Sequence, residues 1–485
     1  MNNLTRRAVL VGAGAVAASA AAGAIQWLRQ PAPDTATPVR LRAEKSTLYV
    51  DGRPGPVMRL VSVTGSFNQS GLVMRDGDRF LVELTNGMDV PTLIHWHGLT
   101  PPWRQDGVPD VSAPALQPGK SVRYDFAVAP AGTHWMHSHA GLQEQLLLSA
   151  PLIIRKPEER RADEQEVVMM LHDFSFTPPE ELMARLTGGA PMSDGGHTGH
   201  AMPRTPAAPM PAMNHAGMDV NDIDYDAYLA NERTLNDPHV VAVEKEGQIR
   251  LRIINAAAAT NYTIDLGDVE GELIAVDGDL VQPVLGHRFP IAIAQRLDIR
   301  FRIPPDSAVP VLALREGALE RTGIILAPQG AAVRKIDPVA EDGDEGPLLN
   351  LAMERRLRAV SGFAPRAADR RIEMDLTGNM AAYQWGIDLK GGALEVKQGE
   401  RVELAMRNVS GMTHPMHLHG RHFQVVGING ERFEGARRDT VYLPADTQVT
   451  VAFDAINPGL WAFHCHHLYH MERGMFAVLK YQGIS

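Results

Sequence analysis

Cys465, the only cysteine of the chain, stands in the stretch His464–Met475, HCHHLYHMERGM, with a histidine on either side, His470 five positions on and Met475 ten positions on. A thiolate, an imidazole and a thioether carried on a returning loop are the soft donors of a mononuclear copper site with a weak axial methionine. Any one of these residues alone carries little weight, since an isolated cysteine is ordinarily a small buried hydrophobe. Five candidate donors within twelve positions outweigh that reading. The apolar lead-in Trp461-Ala462-Phe463 makes the segment a β-strand, whose successive side chains point to opposite faces. Cys465 then faces one way and His464 and His466 the other, so one strand links two metal sites through covalent bonds.

Three more His-x-His pairs occur: His95 with His97, His137 with His139, and His417 with His419. On a strand both imidazoles of such a pair share a face and grip one or two metals. With His464 and His466 they make eight histidines, which suits a three-metal cluster. A lone cysteine cannot form an internal disulfide, which leaves its thiol for a metal.

Positioning these residues is the task of a repeated unit. Gly77–Asn86 (GDRFLVELTN) recurs as Gly399–Asn408 (GERVELAMRN), and in shorter form as Gly247–Asn255 (GQIRLRIIN). Each opens on a glycine turn and then alternates polar and apolar residues, the pattern of a half-buried strand. His95-Trp96-His97-Gly98 answers His417-Leu418-His419-Gly420, and LQPGKSVRYDF from Leu116 answers LPADTQVTVAF from Leu443. Short strands with many glycines and prolines argue for β-sandwiches. The length of 485 residues suits about three domains. Polar linkers around 155–166 and 328–347 divide the chain into 36–157, 158–330 and 345–485. The middle copy has no His-x-His pair and is expected to act as a spacer between its neighbours. A net charge of −10 and the lack of a basic tract give no support for nucleic-acid binding.

The HCH segment and the paired histidines resemble the copper-binding motifs of the multicopper oxidases, the family of laccases and bacterial copper-resistance oxidases. The resemblance implies an all-β chain of three cupredoxin-like Greek-key sandwiches and four copper ions. By that likeness His414, Cys465 and His470, with axial Met475, hold a type 1 copper, and His95 and His417 a type 2 copper. His97, His137 and His466 hold one copper of a type 3 pair, and His139, His419 and His464 the other. The family couples one-electron oxidation of a donor at the type 1 site to four-electron reduction of dioxygen to water at the cluster. His470 is then the electron port, and Cys465 passes electrons on through His464 and His466. Asp106, eleven residues after His95, matches the acidic residue that supplies protons. Some bacterial relatives carry a carboxylate directly after the last type 1 histidine. Met471 stands there, and Glu472 behind it is either a substitute or a surface charge. His134, His422 and His467 are expected beside the ligands or at the surface.

Thr5-Arg6-Arg7 followed by an Ala/Gly-rich run to about Ile25 resembles a twin-arginine export signal. Residues 1–35 are therefore expected to be signal and linker, and the mature chain to work in the periplasm or otherwise outside the cytoplasm without stable membrane insertion. An insertion at about 183–220 interleaves Met192, Met202, Met210, Met213 and Met218 with His197, His200 and His215 among prolines and glycines. Thioethers prefer Cu(I), and the stretch resembles the Met/His-rich segments of copper-resistance oxidases. Met412, two residues before His414, is a further candidate for guiding Cu(I). The expected donor is Cu(I), in copper tolerance; the alternative is a general laccase acting on phenols and aromatic amines.

Overall fold

Alternating polar and apolar residues become strand over most of the chain in the computed structural model, which describes residues 37–63, 71–188 and 221–484. Six sheets follow one another along the sequence as three face-to-face pairs, within residues 39–155, 165–328 and 370–481. The repeated stretch occupies the same place in each. Arg79–Asn86, Gln248–Asn255 and Arg401–Asn408 lie parallel to the opening strands Val39–Val50, Gln165–Phe174 and Arg370–Asn379. Each is antiparallel to a later strand: Ser121–Ala127, Arg296–Arg302 or Gln448–Asp454. Parallel neighbours need a crossover rather than a hairpin, and the connection supplies the Greek-key winding. The fold is three cupredoxin-like sandwiches.

Each repeated strand ends on an asparagine that does the same local work. Asn86 donates from Nδ2 to the carbonyls of Val90 and Leu116, both at 2.8 Å, and accepts from the Met88 amide at 2.9 Å. Asn255 repeats this with Thr260, Ile291 and Ala257. Asn408 does so with Met412 at 2.7 Å, Leu443 at 3.1 Å and Ser410 at 3.0 Å. The amide mimics a backbone turn and brackets the segment that leads to His95 in the first copy and His414 in the third.

The apolar interiors of the second and third sandwiches run together, from Ile249 and Phe289 to Leu404 and Phe463. The first packs around Phe80 and Trp96 and meets the second through Trp135, Ile254 and Ile293. The middle copy therefore shares apolar contacts with both neighbours.

The export signal at 1–35 and residues 189–220 of the Met/His-rich insertion lie outside the described residues. Residues 183–186 are helix end rather than loop, with Thr187 as the cap. Met183 is buried in the helix Pro179–Leu186, which opens on a proline, where a missing N–H does no harm. Among the described residues no helix is long and apolar enough to cross a membrane.

Asn408→Leu strands two buried carbonyls and an amide, so it should destabilise the protein by about 2–3 kcal/mol. Urea denaturation of the variant against the parent measures this; an unchanged midpoint would remove the bracket as a structural cause.

Candidate metal centre

Two short strand pairs aim the histidines. In the first sandwich Ile94–His95 pairs with Gly132–Ser138, placing His95 opposite His137. In the third, His414–Leu418 pairs with Leu460–Cys465, placing His417 opposite His464 and Met416 opposite Cys465. Opposed residues share a face, as do residues two apart on one strand. His417 and His464 therefore look toward the first sandwich's histidines, and His414 and Cys465 look the other way. The glycine that closes each HxHG stretch is required there. Gly98 has φ +95° and Gly420 φ +71°, and an added Cβ would fall 2.1 Å from His134 Nδ1 or 2.2 Å from the Trp461 ring.

Donor atoms converge in trios lying within 4.8 Å: His95, His97 and His417; His97, His137 and His466; His139, His419 and His464; and His414, Cys465 and His470. All these residues are buried. Most of the rings have one nitrogen already engaged. Nδ1 of His95 donates to the Asp106 carbonyl, Nδ1 of His417 to the Asp439 carbonyl, and Nδ1 of His464 to the Cys465 carbonyl, each at 2.9 Å. Nδ1 of His137 donates to the Ser138 carbonyl at 2.9 Å and lies 2.8 Å from a Glu144 oxygen. Nδ1 of His419 donates to Asp106 Oδ2 at 2.8 Å. His97 uses its other nitrogen, Nε2, which donates to Asp439 Oδ1 at 3.1 Å.

A neutral imidazole with its N–H engaged presents a bare lone pair at the second nitrogen. His95 Nε2, His97 Nδ1, His137 Nε2, His417 Nε2 and His466 Nε2 are accordingly buried with no hydrogen-bond partner. His464 Nε2 stands 2.9 Å from His419 Nε2 and 3.3 Å from His139 Nε2. Lone pairs facing one another in a dry interior fit a bound cation, with carbonyls and carboxylates orienting the ligands from behind. Burial holds His97, His137, His417, His419, His464 and His466 below the ordinary imidazole value, in the neutral form that can ligate.

The thiol trio is built the same way. Nε2 of His414 contacts Ser410 Oγ at 2.7 Å, and Nε2 of His470 donates to Asp222 Oδ2 at 3.0 Å. Their Nδ1 atoms lie 3.2 Å apart, with Cys465 Sγ at 3.6 and 3.9 Å. Burial pushes the Cys465 thiol well above its ordinary value, so the thiolate forms only beside a cation. Met475 is fully buried; its carbonyl accepts from the Cys465 amide and its amide donates to the His470 carbonyl, both at 3.0 Å. The Trp385 ring lies 3.9 Å from that of His470.

Three carboxylates at these rings escape sequence reasoning. Asp439 contacts His97, Glu144 contacts His137, and Asp222 contacts His470. Burial opposes the charge on Asp439, but the Arg296 guanidinium and His97 hold it well below the usual carboxylate range. Burial also opposes ionisation of Asp222, which hydrogen bonding and charge from His470 keep low. Glu144 instead is pushed up by burial and by Asp173. Glu472 is half-buried, its carboxyl raised to about 7 by burial, so it is not a plain surface charge. His134, His422 and His467 are buried beside the ligands rather than exposed. His422 donates to the Gly98 carbonyl at 2.9 Å and pairs with Asp279 at 2.5 Å. Met412 is buried in the core.

Models of the multicopper oxidase family match residues 44–159, 197–308 and 366–483. The chain is 30% identical over 446 residues to Multicopper oxidase MmcO of Mycobacterium tuberculosis, covering 90% of this chain and 83% of that one. This chain belongs to the multicopper oxidases. The oxidase is also 27% identical over 551 residues to Copper resistance protein A of Escherichia coli, covering 88% of each. Among solved structures it resembles Fet3p, a multicopper oxidase that functions in iron import, with a TM-score of 0.72 at 19% identity over 91% of this chain and 90% of that one. At that identity the likeness is one of fold. Membership makes the protein an oxidase and copper its metal, and the histidine clusters fit copper sites.

His97, His137, His417, His419, His464 and His466 have folded pKa values below their unfolded ones, so unfolding takes up protons once the pH drops under the ordinary imidazole value. In the copper-free protein each such histidine costs about 1.4 kcal/mol of stability per pH unit below about 6.5. Its urea midpoint should therefore fall steeply between about pH 6.5 and 5, before ordinary carboxylates titrate. A flat profile over that window would contradict neutral burial.

Proposed function

We propose that this multicopper oxidase holds four coppers and oxidises Cu(I), in copper tolerance, with dioxygen as acceptor. His414, Cys465, His470 and axial Met475 would hold the type 1 ion, and His95 with His417 the type 2 ion. His97, His137 and His466 would hold one type 3 ion, and His139, His419 and His464 the other. When bound, copper supplies one-electron acceptance at the first site and four-electron reduction of dioxygen to water at the cluster. The chain's own part is to seal, orient and connect. Cys465 sits between His464 and His466 in sequence, so the path from port to cluster is made of covalent bonds within one strand. Export by the twin-arginine route, which the paired arginines suggest, fits a protein that folds around its metals first.

The choice of donor rests on Asp222. It is the second described residue after the Met/His-rich stretch, and its carboxylate accepts from His470 Nε2 at 3.0 Å. The chain that follows the thioether-rich segment is thus anchored at the electron port. Its soft donors favour Cu(I), and a carboxylate on the port attracts a cation and repels a phenolate. Deleting residues 190–218 should lower kcat/KM for Cu(I) roughly tenfold more than for a simple phenol, about 1.4 kcal/mol of selective stabilisation. Equal losses on both donors, or none, would favour the laccase reading instead.

Asp106 is the proposed proton-holding group. Its Oδ2 accepts from His419 Nδ1 at 2.8 Å and its Oδ1 lies 3.3 Å from His95 Nδ1, so it touches rings assigned to two different coppers. Asp106→Asn should slow dioxygen reduction by about 10²-fold or more while leaving the thiolate-to-copper absorption in place. Unchanged oxygen uptake in that variant would end the assignment.

A further inference from the structure

We infer that Arg296, from the middle sandwich, is a positioning residue for the copper cluster held between the outer two. The inference rests on reading the eight paired histidines as cluster ligands. A guanidinium has five N–H donors in a fixed fork, and Arg296 uses all of them. Nη1 donates to Asp439 Oδ1 at 2.7 Å and to the Ala294 carbonyl at 3.1 Å. Nη2 donates to Asp439 Oδ2 at 2.5 Å and to the Asp277 carbonyl at 3.0 Å. Nε donates to the Thr133 carbonyl of the first sandwich at 3.1 Å. The side chain is fully buried and joins all three sandwiches.

What it orients is Asp439. The two bonds from Arg296 fix the plane of that carboxylate, leaving Oδ1 to accept from His97 Nε2 at 3.1 Å and from Thr440 Oγ1 at 2.9 Å. The Asp439 carbonyl accepts from His417 Nδ1 at 2.9 Å. One aspartate thereby decides which nitrogen of His97, from the first sandwich, and of His417, from the third, is left bare. The thiol trio has no part in this arrangement, because Ser410 and Asp222 orient its two rings. Lysine, with one ammonium in place of the fork, cannot hold both oxygens and three carbonyls at once.

Arg296→Lys, produced and loaded with copper as the full chain, should keep the blue thiolate-to-copper absorption. Its affinity for cluster copper should fall about 10- to 100-fold, read as copper bound per chain after dialysis and as loss of the type 3 near-ultraviolet band. Arg250→Lys is the control, a buried arginine of the same sandwich paired with Asp298 and Glu159; it should lose thermal stability yet keep its full copper complement. Should Arg296→Lys not fold, the double variant Arg296→Met/Asp439→Asn, which strands no charge, carries the same measurement. Full copper in either Arg296 variant, or loss of the blue band in both, would overturn the inference. A parent protein that binds a single copper would instead overturn the reading of the cluster itself.

Discussion

An imidazole has two nitrogens, and everything at this centre depends on which one keeps its hydrogen. Main-chain carbonyls and three buried carboxylates, Asp106, Glu144 and Asp439, face one nitrogen of most cluster rings. The other nitrogens are left to face one another across a dry interior, where a lone pair without a proton or a metal is costly. The nitrogens left open to a metal are therefore specified from behind, by groups on the far side of each ring. Burial reinforces the choice by disfavouring the charged ring.

The same constraint gives the middle sandwich a part, although the clustered histidines come from the outer two. Two loosely joined domains could bring imidazoles near one another without fixing their rotation. The middle sandwich supplies that rigidity twice over, with an apolar interior continuous with the third copy and a polar web of Arg296, Asp277 and Asp279 reaching the rings' supports. Buried charge is stable there because each group is paired and hydrogen-bonded on several sides. A middle copy without a His-x-His pair is thus more than the spacer its motif-poor sequence suggests.

Much of this was legible in the residues themselves. The opposite facing of Cys465 and His464 follows from strand alternation alone, and the register of His417 against His464 realises it. The three-fold repeat from a turn glycine to an asparagine marked equivalent strands, and even that asparagine does equivalent work in Asn86, Asn255 and Asn408. The supporting carboxylates were not legible. Glu144, Asp222 and Asp439 sit in polar stretches that look like surface; Glu144 turns back on nearby His137 from the helical turn Gly141–Leu146, while Asp222 and Asp439 reach their rings across a distance in sequence that only the packed fold closes. Asp222 lies 248 positions from His470, and Asp439 lies 342 from His97. Periodicity reports which face a residue occupies, not which distant residue shares it.

That separation along the chain sets an order of events in synthesis. His139 and His464, whose ring nitrogens stand 3.3 Å apart, are 325 residues distant in sequence, and the thiol trio is completed only at His470, in the third sandwich. A ribosome working from the N-terminus exposes four histidines early, as two isolated pairs, and withholds their partners until the third sandwich is made. A nascent chain thus presents only half of the clustered imidazoles until the third sandwich can fold against the first.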